Sequence, residues 1–84
     1  MKKVTIYTTT YCPFCTRAKQ LLSSLEIPFE EVNVEDNAEL RQEMAEKYNW
    51  QTVPMIVIND EFIGGFDDLK NLHAEGKLVE KVEV

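Results

Sequence analysis

The chain is poor in nearly everything that marks a specialised scaffold. Among 84 residues there are two cysteines, three glycines, three prolines, one histidine and one tryptophan. Two cysteines are too few for the disulfide framework of a small secreted domain. With His73 as the sole histidine, they are also too few for a closed zinc site within one chain. No repeat, linker or low-complexity stretch interrupts the sequence. No apolar run approaches bilayer length, and "MKKVTIYTTT" lacks the apolar core of a secretory signal. Positive charge is scarce as well: 9 Lys and Arg against 15 Asp and Glu leave a net charge of −6. That balance opposes a nucleic-acid groove or an anionic membrane surface. Acids such as Glu30, Glu31, Glu35 and Asp36 read as solvated strand and loop edges. The expectation is a single domain over 1–84, cytosolic and monomeric, with no nucleic-acid or membrane partner.

What is there is strongly patterned. "KVTIYT" alternates apolar and polar residues and predicts a first strand. From Pro13 the period changes: Ala18, Leu21, Leu22 and Leu25 share one face of a helix, which should stop before Pro28. "FEEVNV" predicts a second strand. Asp36, with Glu39 as capping-box partner, opens a second helix striped by Leu40, Met44 and Tyr48. "VPMIVIND" is a continuous apolar run ended by a turn, a buried strand, and "EFIGG" its hairpin partner. "FDDLKNLHAEG" predicts a third helix, acidic at its start and ended by Gly76. The tail "KLVEKVEV" fits either a short helix or an extended end. Strand–helix–strand at the start makes a parallel unit. The last two strands are too close for a crossover and must pair antiparallel. A mixed four-stranded α/β sheet with helices on both faces follows.

The two cysteines stand three apart, in "TTTYCPFCTRAK", directly before the first helix. Pro13 suits the first helical position, where its missing N–H has no partner to lose. Cys12 therefore falls at the N-cap, where free amides and the helix dipole favour thiolate over thiol. Its pKa should fall, and Arg17 and Lys19 add local positive charge. Cys15 lies one turn inside, less exposed, suited to attack a mixed disulfide formed at Cys12. A structural bridge over so small a loop would stabilise little. A C-x-x-C pair beside a βαβ pattern reads as a redox pair.

"YCPFC", "TVPMIVI" and "GGFDDL", in this order and spacing, resemble the glutaredoxins of the two-cysteine type, over Val4 to about Leu72. The resemblance implies a thioredoxin-like fold, βαβαββα, with strand order 2-1-3-4 and three helices. It implies a glutathione-dependent thiol–disulfide oxidoreductase that reduces protein disulfides and glutathione mixed disulfides through Cys12 and Cys15. Glutathione is then co-substrate, no cofactor or metal is bound, and the potential is about −200 to −230 mV, as for its class. The peptide bond before Pro54 should be cis, turning the Val53 backbone toward the cysteines to pair with a peptide-like substrate. Gly64 and Gly65 should permit close approach. Gly65, Phe66 and the amides at the start of the third helix should hold the γ-glutamyl carboxylate. Asp68, with Asp67, should meet its ammonium group, and Phe14 and Thr52 complete the wall.

The sequence departs from that pattern in places. Thr9 stands where the family often has lysine, so Arg41 or Lys47 becomes the candidate substitute cation. Phe14 replaces the commoner tyrosine. Trp50 is expected as a packing residue, with a substrate platform as its other reading. Tyr11 is expected to pack near the site, and His73 to lie on the surface of its helix. A thioredoxin-like donor, reduced by a flavoprotein reductase through the same cysteines, remains open at this point. An iron–sulfur carrier sharing a cluster between two chains is disfavoured by Pro13 and the second thiol.

Overall fold

The computed structural model describes residues 2–83; Met1 and Val84, the outer ends of the two terminal stretches, lie outside them. In chain order the elements are β1 (Val4–Thr8), α1 (Pro13–Ser24), β2 (Glu30–Asn33), α2 (Ala38–Tyr48), β3 (Met55–Ile58), β4 (Glu61–Gly64), α3 (Phe66–Ala74) and α4 (Leu78–Glu83). The sheet runs β2-β1-β3-β4. β1 pairs parallel to β2 and antiparallel to β3, and β3 pairs antiparallel to β4. This is the expected mixed sheet and strand order.

Alternation along β1 divides the core between the two faces. Val4 and Ile6 join Ile56 and Ile58 beneath Ala18 and Leu22 of α1 and Leu69 of α3. The intervening Thr5 and Tyr7 turn to the opposite face, beside Val57 and Met44 of α2. All four residues of β3 are buried, which is why the sequence there shows no alternation. Asn59 and Asp60, both with positive φ, make the tight turn of the β3–β4 hairpin.

Two expectations need correction. Among the described residues there are four helices, not three, because Leu78–Glu83 folds as α4. A six-residue helix is too short to hold itself, but Leu78 and Val82, one turn apart, are 1% and 0% exposed in the core. Lys81 adds an ion pair to Glu61. The N-cap of α2 is Asn37, not Asp36: its Oδ1 accepts from the Leu40 amide at 3.1 Å, so the box with Glu39 does not form. No helix among the described residues is long and apolar enough to cross a membrane.

Candidate active site

β1 ends at Thr8, and after a short loop Cys12 takes an extended conformation as the N-cap of α1, with Pro13 opening the helix. The Cys15 amide donates to Cys12 Sγ at 3.0 Å. Helix geometry therefore delivers an N–H to the sulfur that would carry negative charge. The two cysteines are joined as a disulfide, with Cα atoms 5.1 Å apart. Their environments differ. Cys15 is 1% exposed, beneath the start of α1, whereas Cys12 is only half-buried. An incoming thiolate can reach Cys12 and not Cys15.

Cys12 Sγ lies 3.7 Å from the Val53 carbonyl oxygen. The Val53–Pro54 peptide is cis, as the resemblance implies. From this contact a groove of about 330 Å³ opens, walled by Phe14, Thr52, Val53, Pro54, Gly65, Phe66, Asp67 and Asp68, with Trp50 as a ninth member. The structure thus brings all eight expected wall residues to one surface. Phe14 is half exposed, and its ring lies 6.2 Å from that of Phe66 across the mouth. The Gly65 amide donates to Asp68 Oδ2 at 3.1 Å, so one oxygen of that carboxylate caps α3. Asp67 stays exposed.

The charges around the cysteines are arranged otherwise than the sequence suggests. Lys19 does not face them freely: its Nζ meets Glu31 Oε2 at 2.9 Å. Thr8, fully buried at the end of β1, donates its hydroxyl to the same oxygen at 2.7 Å. These hydrogen bonds, Lys19 first and Thr8 second, hold the Glu31 carboxyl below the usual carboxylate range. Glu31 is therefore an exposed acid on the edge strand, as expected, that also pairs with Lys19 and Thr8. Nothing local in the sequence signals this, because the partners lie 12 and 23 residues away. Arg17 sits over the Phe14 ring at 5.4 Å.

The candidates for the missing cation do not line the groove. Lys47 lies over the Tyr48 ring and borders a separate hollow with Lys3 and Tyr7. Arg41 is exposed on α2 and absent from the wall. Tyr11 does not pack: it is 91% exposed beside Cys12, in the loop between β1 and α1. His73 is exposed on α3 as expected. Trp50 is the wall residue that the sequence reading treated mainly as packing. Its position two residues before Thr52 was the available signal.

Comparison with known proteins follows from this geometry. The glutaredoxin family model matches residues 4–63. A glutaredoxin of Pseudomonas aeruginosa is 47% identical over 78 residues, spanning 93% of this chain and 93% of the relative. Glutaredoxin 3 of Escherichia coli is likewise 47% identical over 78 residues, spanning 93% and 94%. The crystal structure of a buckwheat glutaredoxin–glutathione complex superposes with a TM-score of 0.92 at 26% identity, over 96% of this chain and 76% of that one.

Proposed function

The chain belongs to the glutaredoxin family and is a thiol–disulfide oxidoreductase; from that premise we propose that it uses glutathione, bound in the groove beside Cys12, to reduce protein disulfides and glutathione mixed disulfides. The observation that carries this reading is the contact of Cys12 Sγ with the Val53 carbonyl at the head of the groove. The reactive sulfur touches a residue whose backbone lines the trough, the juxtaposition a cysteinyl peptide requires. The buckwheat protein, described with glutathione, supports the choice of peptide.

The steps follow from the unequal cysteines. In the reduced protein, Cys12 thiolate attacks one sulfur of a substrate disulfide. A new S–S bond forms to Cys12, the substrate S–S bond breaks, and the leaving thiolate takes up a proton. With a protein disulfide, Cys15 attacks Cys12 Sγ and expels the second substrate thiol. Cys15 needs little motion, being already within bonding reach. The first glutathione then attacks the exposed Cys12, and a second removes it as glutathione disulfide. Two thiols are oxidised for each substrate disulfide reduced. With a glutathione mixed disulfide, Cys12 takes the glutathionyl group directly and one further glutathione releases it. The amide of Cys15 supplies the donor that makes Cys12 the better thiolate.

Within the groove, Val53 pairs with the peptide backbone of glutathione, and Phe14, Thr52 and Pro54 flank it. Gly65 and Phe66, at the start of α3, hold the γ-glutamyl carboxylate, and Asp67 and the free oxygen of Asp68 meet the ammonium. The protein acts as a monomer and single domain in a reducing, cytosolic setting, with disulfide-containing or glutathionylated proteins as partners. The test runs two reducing systems in parallel on the oxidised protein: glutathione with glutathione reductase, and NADPH with thioredoxin reductase. Fast turnover with glutathione is expected. Turnover with thioredoxin reductase alone would assign the same cysteines to a thioredoxin-like donor.

A further inference from the structure

Trp50 owes its place to the end of α2. Asn49 adopts a left-handed conformation there, the Trp50 amide returns to the Ala45 carbonyl at 3.0 Å, and the side chain is sent into the groove wall. Its ring is wedged between two neighbours. It meets Phe62 edge-on at 5.5 Å, and a Cβ at Gly65 would lie only 3.3 Å from its Cζ2. The indole Nε1–H is buried and has no hydrogen-bond partner among the described residues. A buried donor left unpaired is costly, so any state that satisfies it is favoured.

The same corner of the groove is short of donors for an anion. Among the described residues, no lysine or arginine lines the wall. The Gly65 N–H is already spent on Asp68. A carboxylate at the start of α3 has the next free amides of that helix, and the ring packed on Gly65 carries an uncommitted indole donor. The need and the surplus stand side by side. We propose that Trp50 is a specificity-determining residue for the γ-glutamyl end of glutathione: the ring turns in its slot and Nε1–H donates to the ligand's α-carboxylate. The inference rests on the glutathione reading above and adds to it a residue outside the expected wall. It also gives Gly65 a reason, since a Cβ there would press on the indole at 3.3 Å.

The sole tryptophan of the chain makes the test direct. The wild-type protein is titrated with S-methylglutathione, an unreactive thioether, and with S-methylcysteinylglycine, which lacks the γ-glutamyl group. A saturable change in indole emission with the first and none with the second is expected. In steady-state assays, Trp50→Phe should raise KM for a glutathionylated peptide about tenfold or more, as loss of a hydrogen bond to a charged group does. The kcat should stay within about twofold, since the group acts in binding and not on the reacting sulfurs. Replacement of Trp50 by 3-benzothienylalanine, which keeps the ring shape and removes the N–H, should reproduce the KM effect and decides the matter if the Phe variant is unstable. An unchanged KM in the benzothienyl variant, with wild-type turnover still glutathione-dependent, would overturn the role of Trp50 and leave the glutathione reading standing. Wild-type protein that turns over without any dependence on glutathione would overturn both.

Discussion

At the scale of single residues, the two cysteines differ both in access and in the donors that reach their sulfurs. Cys12→Ser should abolish every activity, because it removes the only sulfur a substrate can reach. Cys15→Ser should retain deglutathionylation and lose protein-disulfide reduction; a variant that loses both would contradict the division of roles. Parallel assays with a glutathionylated peptide and a protein disulfide separate the outcomes. The placement of the two sulfurs was legible in the sequence because helix-end geometry is local: Pro13 marks the first turn, and the spacing sets one sulfur at the cap and one inside it. Glu31 was not legible, because its meaning comes from β1 lying parallel to β2, which sets Ile6 opposite Glu31 and brings Thr8 within reach of the carboxylate. Its folded pKa is lowered. The corresponding stability is therefore present above the ordinary glutamate range and lost as pH falls through the lowered value. Glu31→Gln should cost less than about 1 kcal/mol near neutrality, since the pair is partly solvated. The gap from wild type should close on acidification, as urea midpoints measured across the acid range would register.

Among the elements, α3 depends most on one residue before it. Gly64 has φ +126, a conformation that L residues rarely adopt, and a Cβ there would run into the Asp68 carboxylate that caps the helix. Gly64→Ala should destabilise by about 1–3 kcal/mol, read as a lower denaturant midpoint. It should also raise KM for glutathione, because Asp68 is displaced from the groove wall. The pattern "GG" before "FDD" showed a close approach without showing what approached. α1 and β3 were legible from helical period and from an unbroken apolar run. α4 was not, because six residues hold too little periodicity to decide and the helix exists through the burial of Leu78 and Val82. The start of α2 was misplaced by one residue because Asp36 and Asn37 both make good caps, and only the chain's path selects Asn37.

For the molecule as a whole, the net charge of −6 acts on encounter rather than on the reaction. Peptide disulfides with basic flanks should be reduced faster than acidic ones of equal length at low ionic strength. That preference should fade as the Debye length shrinks from about 30 Å at 0.01 M to about 3 Å at 1 M salt. Stopped-flow rates across a salt series test this, and a preference independent of salt would point to contacts instead of the overall field.

The Lys2 amide donates to the Val82 carbonyl at 2.7 Å, which fastens β1's approach to the close of α4. From there β1 travels five residues, about 16 Å at strand rise, before the chain reaches the cysteine loop. Lys2 and Val82 thus stand at the far end of β1 from the cysteine loop. A fluorescent tag, a surface tether or a fused target protein attached there leaves the reactive face unobstructed. A fused target meets Cys12 only through a linker long enough to pass around the sheet, so the length of that linker becomes a dial on its effective concentration.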